Sequence, residues 1–241
     1  MTTNRNRVRK IERTFVADVT AIVRGMHDVF MRRLSPRLAS AVKVDATTAG
    51  VIEGALRTVL PQIGAKVGKA HDKMSNALDQ TYKQTVGEIL PVGFQSLGKG
   101  VQRAARDARA VSISLVETAA RDYAAQVRAI FSDPAKPLGR RVENLRDDLI
   151  ERGNVSESRA ELIARDQTLK LNGAINKARQ ESVGVERYTW STSGDERVRD
   201  EHAALDRETF SWGSPPSVGH PGEDIQCRCI ALPIIDDLAD L

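Results

Sequence analysis

Four side chains in the carboxy-terminal part of the chain carry donors that a metal ion selects: His202, His220, Cys227 and Cys229, two imidazoles and two thiols within 28 residues. Thiolates with neutral imidazoles form the donor set of tetrahedral zinc. The spacing is not that of common structural sites, because Cys-x-Cys is tighter than the usual gap of about two to four residues. Two further readings stand beside a closed structural zinc site. In one, the thiols are redox-active or catalytic. In the other they are small core residues flanking an exposed Arg228, with His202 bonded to a neighbouring loop and His220 in a polar loop beside Pro221. A disulfide between such close neighbours would be strained, which speaks against a disulfide-stapled secreted domain. A small module gains from a staple, so zinc is expected to be structural, with no residue assigned to catalysis.

These residues need elements to position them. Residues 185–191, VERYTWS, alternate Val185, Arg187 and Thr189 against Glu186, Tyr188 and Trp190, the period of a strand, and Trp190 is expected in its core. Residues 208–212 and 229–235 read as two further strands, and Asp195 as the cap of a short helix over 196–205. Upstream, a helix is expected over 140–151, ending at Gly153-Asn154, and another from a Ser156 cap to about Ser182, where Gly184 stops it. The second helix carries Arg165, Asp166 and Gln167, which suit a polar network fixing the helix on the sheet, with Arg165 reaching Asp195 or the strand ends. Arg197 and Arg199 stand two apart and share no helical face, so one is free to pair internally and the other to meet a partner.

The preceding residues are helical. Phe15, Val19, Val23, Met26, Phe30 and Leu34 belong to an amphipathic stripe over 8–34 that is expected to end near Ser35-Pro36. A second periodic stretch covers 48–90, with Pro61, Gly64 and Gly68 expected to kink or divide it, and an Ala-rich pattern covers 97–131. Aromatic residues make up only 4% of the chain, which favours close-packed helices over a β-sandwich. The fold class is therefore mainly α: long amino-terminal helices, then a compact α+β module with a short antiparallel sheet. Two prolines and a glycine place a linker at 132–139, between a helical region at 1–131 and a module at 140–241. No fixed-period repeat or low-complexity segment is present.

The net charge of +4 conceals a gradient of +7 over 1–43, +3 over 44–139 and −6 over 140–241. Arg5, Arg7, Arg9, Lys10 and Arg13 offer either sequence-independent phosphate contact or a basic rim around a stripe that docks on a partner helix, and the regular stripe suits docking better. No apolar window is long enough to span a membrane, and no secretory signal is read at the amino terminus. The sequence holds no P-loop, dinucleotide fingerprint, His-Glu-x-x-His or Gly-x-Ser-x-Gly motif. His202 with Asp195 and Glu201 can be drawn as an acid–base set, but such triplets occur by chance in acidic surfaces, so the expectation is not an enzyme.

The order of features from about 150 to 235 resembles the phage head morphogenesis family typified by phage Mu protein F, the minor head proteins of tailed phages. The helix signature falls on Ala164, Arg165, Asp166 and Gln167, followed by Gly184 and a strand with Trp190. The Asp-x-Arg-x-Arg-x-x-His segment falls on Asp195, Arg197, Arg199 and His202, and the closing Cys-Arg-Cys on Cys227, Arg228 and Cys229. Where the family usually has a glycine after its His-x-x-Leu-Asp/Asn turn this chain has Arg207, so that turn must change conformation or accept strain. The resemblance implies a structural minor head protein, present in few copies near the portal vertex and incorporated during procapsid assembly in the host cytoplasm. It implies the portal protein and capsid or scaffold components as partners, and a role in DNA packaging or ejection. An internal virion protein touching DNA through its basic helix is the alternative. An enzyme, hydrolase or transferase, using the His202/Cys227/Cys229 region stands further back.

Overall fold

A computed structural model describes residues 2–39, 46–87, 98–132 and 142–234. Four long helices, α1 (Thr2–Ala39), α2 (Ala46–Gly87), α3 (Lys99–Ser132) and α4 (Val142–Ser182), precede β1 (Arg187–Ser191), the one-turn α5 (Asp200–Ala203), β2 (Thr209–Ser211) and β3 (Ile230–Pro233). The chain is mainly helical with a small antiparallel sheet, ordered β2-β1-β3. No described helix is long and apolar enough to cross a membrane.

By contacts the chain forms two compact units, one of Met1–Phe15, Asp72–Arg109 and Arg165–Leu241, the other of Val16–His71 and Ala110–Ala164. Each long helix contributes to both, so this division differs from the division by sequence. Apart from Ser132, the expected linker lies outside the described residues.

Among the described residues the second unit is purely helical. Its core follows the three- and four-residue steps of the sequence: Val19, Val23, Met26, Phe30 and Leu34 of α1, with Ile52, Ala55, Val59, Ile63 and Val67 of α2, are all buried. From α3 come Val116, Ala119, Ala120, Tyr123 and Val127. Each large apolar side chain removed from water contributes about 1.5–3 kcal/mol. Phe30 meets the Tyr123 ring edge-on at 5.3 Å, and the Tyr123 hydroxyl lies 2.6 Å from His27 Nδ1.

Gly153 does not end a helix. The two helices expected over 140–182 are one, and a Cβ at position 153 would stand 2.7 Å from the His27 ring. The glycine permits a close approach inside α4, which packing stabilises against its low helix propensity. Prolines also fail to break helices here: α1 continues past Pro36 and α2 past Pro61. Both are exposed, so the carbonyls they orphan can bond to water.

In the sheet unit, β1 pairs through Tyr188↔Phe210 on one side and Trp190↔Ala231 on the other. Tyr188 and Trp190, two apart and so on one face of the strand, are fully buried with Trp212, Cys227, Cys229 and Ala231. All three strands are shorter than the sequence suggested, and the helix expected over 196–205 is confined to α5. The residues before it turn instead, because the Asp195 carboxylate accepts from Arg197 N and holds Arg228.

Helix α4 is pinned to this sheet by polar groups. Asn176 Nδ2 and Gln180 Nε2 donate to the Ala231 carbonyl of β3 at 2.9 and 3.0 Å, and Trp212 Nε1 donates to Gln180 Oε1 at 3.2 Å. At Gly173 a Cβ would stand 2.7 Å from the Pro221 carbonyl oxygen, so this face of α4 must lack a side chain. The buried Arg179 guanidinium meets the buried Asp79 carboxylate of α2 at 2.5 Å, and Lys83 reaches the other Asp79 oxygen at 3.0 Å.

Candidate functional site

Three of the four expected metal ligands converge. His202 Nδ1 lies 3.6 Å from Cys227 Sγ and 3.6 Å from Cys229 Sγ, and all three residues are buried. Helix α5 brings in the histidine, and the residues leading into β3 bring in the sulfurs. The His202 ring stands edge-on to Trp190 at 5.5 Å, so the strand tryptophan forms a wall of the site.

Both thiols are free. Cys229 donates toward Cys227, and Gly222 N–H reaches Cys227 Sγ at 3.4 Å. Those two donors hold Cys227 below the usual thiol range, and the same bond, with burial, pushes Cys229 up.

His220 does not join them. Its Nδ1 lies 2.9 Å from the Tyr188 hydroxyl, and its ring is 4.9 Å from Trp212, centre to centre. Turn residues Gly219 and Gly222, at φ 79° and 93°, bracket it, and its own N–H bonds to Glu223 Oε2 at 2.8 Å. Burial first, then Lys177, lowers its pKa, consistent with a neutral ring used in packing. The four-residue set read from the sequence is thus corrected to three.

Asp224, which the sequence reading passed over, completes the surroundings. Its Oδ2 lies 3.4 Å from His202 Nε2 and 2.9 Å from Arg199 Nη1. Arg199 also donates to the Ile225 carbonyl at 2.7 Å, so it is the internally paired arginine, while the Arg197 side chain is exposed. A carboxylate three residues before the first cysteine was the available signal, but only the loop fold aims it at His202.

Helix α4 holds this loop through Asp166, whose Oδ1 accepts from Gln226 N at 2.8 Å. That bond anchors Gln226 at φ 52°. Asp166 also meets Lys170 at 2.9 Å and the buried Gln167 at 3.3 Å. The polar network expected from Arg165-Asp166-Gln167 is present, with one correction. Arg165 faces Glu12 of α1 at 3.9 Å, whereas Asp195 is gripped by both terminal nitrogens of Arg228 at 2.5 and 2.6 Å. Arg228 holds the Asp195 carboxyl low, at about 2. A planar fork matches a carboxylate better than a single contact, and Arg228 sits between the cysteines, nearer to Asp195 along the fold.

The turn after α5 accepts strain. Arg207 stands at φ 69°, the region that glycine adopts freely, and it is held there by its N–H to the Trp190 carbonyl at 2.8 Å. Its neighbour Asp206 accepts from both the N–H and the hydroxyl of Thr192 at 2.8 and 2.9 Å.

Of the basic residues of α1, Arg5 is committed within the sheet unit. Its guanidinium donates to Ser191 Oγ at 3.0 Å and to the Thr192 carbonyl. Arg9, Lys10 and Arg13 are exposed and Arg7 is half-buried. A cleft of about 50 Å³ runs between this helical turn and the Cys-Arg-Cys segment, lined by Asn4, Arg5, Arg9, Glu12, Cys227 and Cys229 among others.

The geometry brings Trp190, Asp195, Arg199, His202 and the Cys-Arg-Cys segment of the resemblance together, and the same stretch of sequence has a family match. Residues 135–232 match the family model described as Phage Mu protein F like protein. This part of the chain is phage Mu protein F-like. An uncharacterized protein of Haemophilus influenzae is 49% identical over 86 residues, which is 35% of this chain and 19% of that protein. The chain therefore spans about a fifth of the length of the curated relative it matches. No solved structure matches. In the Mu F-like module, Trp190, Asp195, Arg199, His202, Cys227, Arg228 and Cys229 interlock around one buried centre, and Arg165 and Arg197 stand outside it.

Proposed function

We propose that the protein is a minor head protein of a tailed phage, built into the head near the portal vertex during procapsid assembly and acting in DNA packaging or ejection. The match of residues 135–232 to the Mu F-like family, a family of phage-head structural proteins, carries this reading. The surface supports it. The helical unit leaves Val111 and Leu115, one turn apart on α3, and Ile150, Val155 and Leu162 on α4 exposed, apolar side chains suited to a protein partner such as the portal or a capsid or scaffold component. Most of the motif residues, in contrast, are spent on internal bonds, with Arg197 left exposed, as expected of a rigid docking unit rather than a catalytic surface.

The test is incorporation. In an assembling phage the protein is expected in purified procapsids at few copies, and on isolated portal protein in a pull-down. Absence from both overturns the reading. Contact with DNA is the second reading, supported by the exposed Arg9, Lys10 and Arg13. Because Arg5 is docked, deleting the amino-terminal segment would damage the sheet unit as well. Reversing Arg9, Lys10 and Arg13 to glutamate is the cleaner probe. DNA affinity that falls steeply with salt in the parent, with a slope reduced by about 0.9 per lost phosphate contact in the variant, would favour this reading.

A further inference from the structure

We infer that His202 Nδ1, Cys227 Sγ and Cys229 Sγ bind one zinc ion, with solvent from the adjoining cleft as the fourth ligand. At bond lengths of about 2.1 Å to nitrogen and about 2.3 Å to sulfur, tetrahedral angles set nitrogen and sulfur about 3.6 Å apart. Both nitrogen–sulfur separations here are 3.6 Å, and the three donor atoms all lie within 4.8 Å of one another. Thiol–imidazole hydrogen bonds would also bring these atoms together, but the same spacing suits a single tetrahedral ion.

The surroundings fit a metal. His202 Nε2 is buried and makes no hydrogen bond, yet it stands 3.4 Å from Asp224 Oδ2. Zinc on Nδ1 fixes the proton on Nε2 and aims it at that carboxylate, the usual support of a metal-bound imidazole. Arg199 holds Asp224 in place from the other side. Two thiolates balance the divalent charge, and the guanidinium between them is already neutralised by Asp195. Soft sulfur with imidazole selects zinc over magnesium, calcium or manganese.

Among the described residues no fourth protein donor joins the group. Cys227 and Cys229 line the cleft, which supplies the remaining position. The ion would tie α5 to the segment entering β3 beneath Trp190, fixing two stretches of little regular structure. This inference does not depend on the phage-head reading.

The experiment is zinc analysis of the full chain purified without chelator, followed by removal and readdition of zinc against a chromogenic competitor. One zinc per chain is expected. Cobalt in its place should give the intense visible bands of a tetrahedral site with sulfur-to-metal charge transfer, and added imidazole should shift them by replacing solvent. Cys229→Ser should lower affinity at least a hundredfold, and Asp224→Asn about 10–100-fold with the folded spectrum kept. His220→Asn should retain one zinc. A folded parent chain that takes up no stoichiometric zinc on readdition overturns the inference. So does a folded His220→Asn variant that loses zinc, or a Cys229→Ser variant that binds as tightly as the parent.

Discussion

The two compact units solve the problem of a stable core by different means. In the helical unit, α1, α2 and α3 bury regular apolar stripes, and its ion pairs, such as Arg24–Glu157 at 2.7 Å and Arg159–Asp122 at 2.7 Å, lie on the surface. The sheet unit instead holds ten of the thirteen buried polar or charged side chains found among the described residues, including Asp79, Arg179, Gln180, His202 and His220. Buried polar groups are costly unless bonded, so pairs such as Asp79–Arg179 hold the sheet unit through specific partners where the helical unit is held by area. A unit of the first kind fails when one partner is removed; a unit of the second kind fails when volume is removed.

The sharpest test of that contrast is Asp79→Ala. Removing one partner of a buried pair leaves Arg179 charged in the core, and a loss of about 3–5 kcal/mol is expected in denaturant unfolding. Glu157→Ala, at the exposed pair of the helical unit, should cost no more than about 1 kcal/mol. Equal losses would erase the distinction.

Two tight glycines give the next effect. Gly173→Ala drives a methyl against the Pro221 backbone and should cost about 1–3 kcal/mol. Gly153→Ala meets a side-chain ring that can turn, and alanine favours helix by about 1 kcal/mol, so its loss should be smaller. A larger loss at 153 would mean that His27 is fixed as rigidly as backbone.

A smaller gain is expected from Arg207→Gly. The residue sits at φ 69° with its side chain 93% exposed, so glycine should relieve strain and raise stability by about 0.5–1 kcal/mol. Thermal unfolding would show it, and a lower midpoint would mean the left-handed turn carries no strain.

Smallest of all is the acid response of the Asp195–Arg228 pair, which is partly exposed. A carboxyl held low in the folded state contributes stability that is complete above its ordinary value of 3.8 and is lost as pH falls toward about 2. Asp195→Asn should flatten the pH dependence of stability in that interval and leave it unchanged near neutrality in slope. An unaltered acid limb would show that Arg228 is not its partner in solution.

Much of the helical unit was legible because a 3.6-residue period survives any tertiary arrangement that buries one face. What was misread there came from local rules applied without neighbours. Gly153 and Pro36 are helix breakers in isolation, but the first faces a histidine ring and the second faces water. In the sheet unit the order of residues located the site, and Trp190, His202, Cys227 and Cys229 lie together as their order suggested. His220 was grouped with them on residue type alone, and nothing in sequence spacing reveals that its turn directs it to Tyr188. Asp224 was missed for the converse reason, since one acidic residue among many carries no mark of its orientation.

The sequence by itself determined the apolar stripes of the long helices, the basic-to-acidic gradient and the set of side chains with metal-donor chemistry, because periodicity, charge and donor chemistry are properties of the residues themselves. The tertiary structure alone decided which imidazole meets the sulfurs, which arginine holds Asp195 and which glycines are close approaches. Those are choices among chemically equivalent partners, and loop conformation rather than residue type settles them: two positive-φ turns send His220 to Tyr188, and a bond from Gln226 to Asp166 helps hold the Cys-Arg-Cys segment toward His202.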